Sequence, residues 1–389
     1  MSVTAAGGWK ASGVVAGTKS AGGLDLALMV SDVPAAVAGA FTTNKAPCAH
    51  IQLCVPRVAA GVSRGVLVSA GIANAATGAD GLRDAESLAQ AAADGTGCPP
   101  EQMLFCATGV IGPRIPVDRV RPAVRAAVAG LSPEGGDTAA RSIMTTDTRP
   151  KQALLRTEGV TVGGMAKGAG MIAPRMDVPH ATMLAFVTTD AVADASVLRH
   201  SLSAALPPTF NSISVDGGCS TNDTVLLFAN GTSGVRLADE VLSEAVREVM
   251  ARLAYEIVSD GEGATKVIRV AVTEAVSQED ARRCARSICD SLLFRAAVWG
   301  GDANWGRVVQ AVGQSGAEFD PGRVSVSIGG VELAREGTAT HDVVPVPAGE
   351  VPVEVRLGLG DSSWEMLTCD LSPEYVRLNA DPLVPTEAP

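Results

Sequence analysis

The stretch that decides the fold spans residues 163–191 and reads GGMAKGAGMIAPRMDVPHATMLAFVTTDA. A glycine-rich segment that holds Lys167 is followed by proline-containing coil and then by an apolar, threonine-containing run. A glycine-rich loop with a lysine can cradle a phosphate. Here, however, Lys167 is followed by Gly168 instead of Ser or Thr, and no strand with a GxxxxGK pattern precedes it. The stretch therefore does not indicate a P-loop nucleotide site.

The composition favours a layered α/β protein. Of the 389 residues, 47% are hydrophobic and only 19% are charged, which is enough for one large core or two moderate ones. Aromatic residues make up only 3%, while glycine numbers 42, so the core must be built from small and branched side chains. Such side chains suit helices packed on sheets.

The charge balance and the cysteines argue against several kinds of partner. The net charge is −11, from 42 acidic and 31 basic residues, so no basic stripe is available for nucleic acid. Residues 1–19 lack the apolar core of a signal peptide, and no apolar run approaches the roughly 20 residues of a spanning helix, so we expect a cytoplasmic protein with no membrane partner. The eight cysteines form no CxxC pair and the four histidines are scattered, which predicts neither a metal site nor a disulfide framework.

Apolar periodicity predicts a mixture of helices and strands. Helical spacing predicts helices over residues 81–93, 117–129, 241–258 and 278–294. Alternating β-branched residues predict strands over residues 64–69, 267–272, 323–328 and 351–357. Cys284 falls on the apolar stripe of the last predicted helix, so we expect it in the core. The C-terminal third is therefore predicted to be a mixed α/β unit.

Several motif blocks occur in one order along nearly the whole chain. They are ATGVIG at residues 107–112, IMTTDT at 143–148, KGAGMIAP at 167–174, ATMLAFVTTDA at 181–191, SVDGGCSTNDTVLL at 214–227, DGEGATK at 260–266 and NWGRVVQAVG at 304–313. Together they resemble the ornithine acetyltransferase family, also called bifunctional glutamate N-acetyltransferase. Several independent blocks in the same order are far more specific than any one of them.

This resemblance implies both the fold and a processing step. The implied fold is α/β (α+β), a layered sandwich of β-sheets flanked by helices of the ornithine acetyltransferase / DmpA-like type, with a smaller C-terminal lobe at about 265–389. The chain is expected to cut itself between Ala181 and Thr182. An α fragment, residues 1–181, would then carry the oxyanion hole and the substrate lysine, and a β fragment, residues 182–389, would begin with the nucleophile. Two copies of each fragment would form a heterotetramer.

Thr182 is the expected nucleophile, and its chemistry explains why cleavage is needed. A threonine hydroxyl is a poor nucleophile until a base takes its proton. Cleavage creates such a base on the same residue, because an α-amino group has a pKa of about 7.7–8.0 whereas a lysine has a pKa of about 10.4. Apart from the motif, Thr182 would be interpreted as a β-branched residue at the start of a buried strand.

Thr108 and Gly109 match the family's oxyanion hole. A threonine hydroxyl and a glycine amide would meet the negative oxygen of the tetrahedral intermediate, and one such donor is worth roughly 3 kcal/mol. The alternative is an ordinary turn between a strand that ends near Phe105 and the helix that begins at residue 117.

The resemblance also assigns substrate contacts. Thr145 and Lys167 match positions that can hold a carboxylate, Glu262 matches one that can hold an amine, and Asn379 and Thr182 complete the set. Such a site suits an amino-acid zwitterion. The alternative for the lysine and the glutamate is a surface ion pair or two separately solvated charges.

The sequence departs from the family pattern beside the scissile bond and at the C-terminus. Residues 177–180, DVPH, stand between MIAPRM and ATML, which usually adjoin, so the sequence leaves open whether self-cleavage is retained. A role for His180 in proton transfer is not expected, because a single loop histidine is usually solvated. Val384 stands where the family has a terminal hydroxyl, and Thr386 reaches that position only if the tail shifts by two residues.

The implied reaction is a ping-pong transfer in arginine biosynthesis. Acetyl would pass from N-acetylornithine to Thr182 and then to glutamate, with no cofactor, while acetyl-CoA remains an open alternative donor. Three other functions stay open: an N-terminal-threonine amidase or peptidase, an uncleaved protein that binds an amino acid, and a paralogue that acylates a related amino acid in a specialised pathway.

Overall fold

The computed structural model describes residues 3–173, 176–177, 183–340 and 345–380. The chain divides into two compact units: Met1–Asn211 with Gly218–Ile257, called the first unit below, and Ser212–Gly217 with Val258–Pro389, called the second unit. The predicted C-terminal lobe at about 265–389 lies within the second unit, which begins somewhat earlier and also takes a short segment from the middle of the chain. The bond expected to be cut, between residues 181 and 182, falls inside the first unit.

The described residues contain both strands and helices throughout. The strands are β1 (Trp9–Val14), β2 (Leu26–Thr42), β3 (Val62–Ile72), β4 (Met103–Val110), β5 (Lys151–Thr157), β6 (Val160–Lys167), β7 (Met176–Asp177), β8 (Leu184–Thr189), β9 (Ile213–Ser214), β10 (Thr224–Ala229), β11 (Val267–Ala275), β12 (Ser325–Ile328), β13 (Val331–Arg335), β14 (Thr338–Ala339), β15 (Glu350–Arg356) and β16 (Ser362–Cys369). The helices are α1 (Ala49–Ala59), α2 (Gly78–Thr96), α3 (Val117–Ala129), α4 (Gly136–Ser142), α5 (Ala195–Ala205), α6 (Asp239–Ser259), α7 (Gln278–Cys289), α8 (Leu292–Trp299), α9 (Trp305–Gly313) and α10 (Pro373–Ala380).

One mixed sheet organises the first unit. Its main order is β4-β3-β2-β10-β8-β6-β5, and β1 and β7 also pair with β2. Strand β10 runs antiparallel to β2 and parallel to β8, and β8 runs antiparallel to β6. Thus β8 and β10, which follow the expected cleavage bond, lie between β2 and β6, which precede it.

Both faces of this sheet are covered. Along β2, Leu26 and Leu28 pack in one buried cluster with residues of α2 and α3. The intervening Ala27 and Met29 pack in a second cluster, which includes Phe186 of β8 and residues of α1 and α4. Because successive strand residues point to opposite faces, this alternation shows a sheet with a core on each side.

The second unit has its own sheet and its own core. The strand order is β14-β13-β12-β15-β11-β16-β9. Helix α7 places Ala281, Cys284 and Ile288 in a buried cluster with apolar residues of β11 and β15. The core position predicted for Cys284 is confirmed, and so is the predicted fold class, with helices flanking sheets in both units.

Several predicted elements agree closely with the structure, and one does not. Helix α3 has the bounds predicted for it, with Pro122 inside. The single helix predicted over 278–294 is wrong, because α7 ends at Cys289 and α8 begins at Leu292. The Ser291 side chain accepts a hydrogen bond from the Phe294 amide at 3.3 Å and caps the new helix.

None of the helices in the described ranges is long and apolar enough to cross a membrane. All eight cysteines are free thiols, and seven of them are buried.

Candidate active site

Thr108 and Gly109 lie at the end of strand β4, so the interpretation as a turn after Phe105 is wrong. The Thr108 residue is only 8% exposed, and its hydroxyl has no hydrogen-bond partner among the described residues. Gly109 has φ +131°, and a Cβ there would lie 2.2 Å from the Gly71 carbonyl carbon and 2.6 Å from the Ile72 amide nitrogen. Only glycine fits this approach of two strands. The glycine of the predicted oxyanion pair is therefore held in a backbone conformation that other residues rarely adopt.

A buried carboxylate, Asp147, connects two of the predicted substrate residues. Its Oδ2 accepts the Thr145 amide at 2.9 Å, and its Oδ1 accepts the Gly168 amide, next to Lys167, at 2.7 Å. The Lys151 ammonium donates to Oδ1 at 2.6 Å, and both side chains of this ion pair are 0% exposed. Sequence reasoning missed Asp147, although it lies within the IMTTDT motif.

The charge of Asp147 is set by its neighbours. Burial raises the pKa of its carboxyl, but the nearby ammonium groups of Lys167 and Lys151 outweigh that effect and lower the pKa to about 2. Lys19 belongs to the same region: burial lowers its pKa, Asp25 and Asp147 raise it, and Lys167 lowers it further. The charges of Lys19, Lys167 and Asp147 therefore interact within the first unit.

Lys167 is the last residue of β6, whereas the sequence predicted a glycine-rich loop. Gly164 explains the error, because a Cβ there would lie 2.9 Å from Leu253 Cδ1 and 3.0 Å from Val249 Cγ1. The glycine allows helix α6 to approach the sheet and does not make a turn. Lys167 is only 8% exposed, so the alternative of a solvated surface charge is wrong for it.

Glu262 and Asn379, in the second unit, contact each other directly. Asn379 Nδ2 donates to Glu262 Oε2 at 2.7 Å and to the Tyr375 carbonyl oxygen at 3.0 Å. Glu262 lies in the loop after α6, and Asn379 lies near the end of α10. Burial raises the pKa of the Tyr375 hydroxyl, and the charges of Asp216 and Glu262 raise it further. The structure therefore joins two residues that the sequence placed 117 positions apart.

The remaining predicted site residues lie outside the described residues. They are Ala181, Thr182, His180, Val384 and Thr386. Of the DVPH segment, only the backbone of Asp177 is described, where β7 pairs with Phe41 and Thr42 at the end of β2. Among the side chains that the structure does describe, no group of three or more His, Cys, Asp or Glu residues is placed to hold a metal ion.

Comparison with known proteins decides the family. A family model described as the ArgJ family matches residues 10–382. This chain belongs to the ArgJ family. The resemblance to ornithine acetyltransferases inferred from the motif blocks is thereby confirmed.

Members of the ArgJ family resemble this chain over nearly its full length. The arginine biosynthesis bifunctional protein ArgJ of Symbiobacterium thermophilum is 46% identical over 394 residues, which cover 97% of each chain. Its counterpart in Streptomyces coelicolor is 41% identical over 383 residues, 98% of this chain and 99% of that one. Among solved structures, the ornithine acetyltransferase from Mycobacterium tuberculosis complexed with ornithine is 41% identical. The match covers 45% of this chain and 96% of that chain, with a TM-score of 0.45.

Proposed function

We propose that this ArgJ-family protein cuts itself between Ala181 and Thr182 and then transfers an acetyl group from N-acetylornithine to glutamate through an acyl-Thr182 intermediate, as a step of arginine biosynthesis. The observation that carries the proposal is the Thr108–Gly109 strand end, where the hydroxyl of a threonine that is 8% exposed has no partner among the described residues and adjoins an amide in a conformation open only to glycine. The curated relatives are named for arginine biosynthesis, which supports the same pathway.

The proposed steps follow from the chemistry of an N-terminal threonine. The free amine of Thr182 takes the proton of its own hydroxyl, and the hydroxyl oxygen attacks the acetyl carbonyl. The Thr108 hydroxyl and the Gly109 amide donate to the resulting oxyanion. The C–N bond of the tetrahedral adduct then breaks, and ornithine leaves with the proton held by the Thr182 amine. The amine of glutamate attacks the acyl-Thr182 ester, the C–O bond to Thr182 breaks, and a proton from the glutamate amine returns to the Thr182 oxygen, which releases N-acetylglutamate and restores the enzyme.

Substrate recognition in this proposal uses the remaining predicted residues. Lys167 and Thr145 hold the α-carboxylate that the donor and the acceptor share, and Asp147 keeps both groups in place. Glu262, with Asn379, holds the side-chain ammonium of ornithine. The reaction needs no metal or nucleotide. Acetyl-CoA as a second donor, a cytoplasmic location and an assembly of two α and two β fragments are further parts of the proposal.

Intact mass spectrometry of freshly purified protein, beside a Thr182→Ala variant, tests the processing step. We expect two fragments, residues 1–181 and 182–389, from the parent and one full-length chain from the variant. An uncut parent would reject the mechanism, and the uncleaved binding protein would become the better hypothesis.

A transfer assay then separates an acyltransferase from an amidase. Purified parent is given N-acetylornithine with and without glutamate, and ornithine, acetate and N-acetylglutamate are quantified. Transfer predicts that N-acetylglutamate accumulates in step with ornithine. Release of acetate at the same rate with or without glutamate would instead identify an amidase.

A further inference from the structure

A histidine that lies in none of the sequence motifs occupies the interior of the first unit. His50, near the start of α1, is 0% exposed. Its Nδ1 accepts the Ala107 amide at 3.1 Å and lies 3.0 Å from Cys48 Sγ, and its Nε2 lies 2.9 Å from Thr224 Oγ1. Both ring nitrogens are therefore engaged, and two of the partners are distant in sequence.

These contacts determine the protonation state of the ring. A backbone N–H can only donate, so Nδ1 must carry the lone pair that receives the Ala107 amide. The proton then resides on Nε2, which donates to the Thr224 hydroxyl, and that hydroxyl donates to the Asn222 carbonyl at 3.1 Å. Burial lowers the pKa of His50 to about 3, which agrees with a neutral ring.

At one end of the hydrogen-bond network around His50, side chains hold the backbone of Ala107, the residue that precedes Thr108. Strand β4 lies at the end of the sheet order, so its outward backbone groups need partners other than a strand. His50 takes the Ala107 N–H, and Asn222 Nδ2 donates to the Ala107 carbonyl at 2.8 Å and to the Ala73 carbonyl at 2.6 Å. Both polar groups of the Ala107 backbone are thus fixed by side chains.

The second end of the network reaches the strand that follows Thr182. The Thr224 amide donates to the Met183 carbonyl at 2.5 Å, and Thr224 pairs with Leu184 at the start of β8. The imidazole therefore stands between the backbone beside the oxyanion pair and the backbone beside the nucleophile. An apolar side chain of the same volume would fill the space but could form neither the hydrogen bond to the Ala107 amide nor the one to the Thr224 hydroxyl.

We infer that His50 is a positioning residue for the proposed acyl transfer, one that holds the Ala107–Gly109 backbone at a fixed distance from the start of β8. The inference rests on the proposed function, because the distance matters only if Thr182 attacks and Thr108 with Gly109 receive the oxyanion. A misplacement of about 1 Å between reacting groups costs about 100-fold in rate, so a network of this kind has a measurable effect without any contact to substrate.

The test compares His50→Phe, which keeps a ring of similar size, with His50→Asn and His50→Gln. The asparagine oxygen can still accept the Ala107 amide, and the glutamine amide can still donate to Thr224. Cys48→Ala is the matched control, because it removes the other neighbour of Nδ1 and leaves both connections intact. For each protein we would measure self-cleavage by intact mass, kcat and KM for N-acetylornithine, and the melting temperature.

We expect His50→Phe to lower kcat and the rate of self-cleavage by about 10- to 100-fold while KM stays within about 2-fold of the parent. His50→Asn and His50→Gln should lie between the parent and His50→Phe, and Cys48→Ala should match the parent within about 2-fold. If His50→Phe does not fold, the two amide variants still test the inference through the same separation of kcat from KM.

Two outcomes would overturn the inference in distinguishable ways. Folded His50 variants with a lower melting temperature but parental kcat would show a role in stability alone, with the proposed function intact. A parent that neither cuts itself nor transfers acetyl would remove the proposed function and this inference together.

Discussion

The predicted site residues of the two units are held very differently. In the first unit, Thr108 adjoins a backbone clamped by His50 and Asn222, and Thr145 is tied to the end of β6 by the buried Asp147. In the second unit, Glu262 and Asn379 are joined by one side-chain hydrogen bond, and Asn379 is exposed on the last described helix.

This difference matches the roles proposed for Thr108 on one side and for Glu262 with Asn379 on the other. Groups that must meet a transient charge gain from being held rigidly, because they then need no reorganisation during the reaction. Groups that hold the variable part of a substrate tolerate more change. Substitution of Thr108 should therefore lower kcat, loss of the buried Asp147 carboxylate should lower stability, and substitutions at Glu262 or Asn379 should mainly affect KM.

The largest effect is expected for Asp147→Asn, on stability. The substitution removes the carboxylate from a fully buried ion pair with the Lys151 ammonium, so the free energy of unfolding should fall by about 3–5 kcal/mol at pH 7. Urea titration measures this change. Arg247→Ala, which removes an exposed ion pair with Glu244, is the control and should change stability by less than about 1 kcal/mol. Equal losses in the two variants would contradict the comparison.

The comparison of the parent with Asp147→Asn also gives a prediction with a defined pH dependence. The pKa of Asp147 is lowered to about 2 in the folded state. The contribution of its carboxylate to the free energy of unfolding is therefore complete above the unfolded pKa of about 4, and it is lost as the pH falls toward the folded value. The stability difference between parent and Asp147→Asn should thus shrink by about 1 kcal/mol between pH 6 and pH 3. A constant or growing difference would mean that Asp147 is not held ionised.

The next effect is expected for Thr108→Val, on rate. Loss of one oxyanion donor costs about 3 kcal/mol of transition-state stabilisation, so kcat should fall by about 10²- to 10³-fold while the melting temperature changes little. Thr108→Ser keeps the hydroxyl and should retain most of the activity. Steady-state kinetics of both variants check this, and a valine variant with near-parental kcat would remove Thr108 from the oxyanion hole.

The smallest effect is expected for Asn379→Ala, on substrate affinity. The loss of the exposed hydrogen bond to Glu262 should raise KM for N-acetylornithine by about 5-fold, which corresponds to about 1 kcal/mol, with kcat within about 2-fold of the parent. A large fall in kcat, or no change in either constant, would show that the second unit does not have the recognition role proposed for it.

Local pattern predicted the helices better than the site. Helix α3 followed from apolar spacing alone, whereas the 17-residue strand β2 was missed because Pro34 and the exposed residues around it interrupt the alternation. The structure accommodates that interruption as an irregularity in pairing with β3 between Val30 and Ala35. The break between α7 and α8 depends on one capping serine, which periodicity alone does not reveal.

For the candidate site residues, local sequence pattern reveals still less of the folded arrangement. Motif resemblance pointed to Thr108, Lys167 and Glu262 as candidate site residues, because they lie within recognisable blocks, and their roles stay predictions. His50 lies in no such block, and two of its partners are 57 and 174 residues away, so only the folded arrangement reveals these contacts. Asp147 lies within the IMTTDT motif but was missed, because its hydrogen bonds to the Thr145 and Gly168 amides form only in the folded chain.

The strand order of the first sheet has a consequence for the lifetime of the mature protein. If the bond after residue 181 is cut, one sheet is built from two chains, with β8 and β10 of one inserted between β2 and β6 of the other. The precursor folds as a single chain, but after cutting the same strands could find each other again only by a bimolecular encounter, at a rate that depends on concentration. Folding and maturation would then form a one-way sequence, in which the working life of the enzyme is set by how slowly it unfolds.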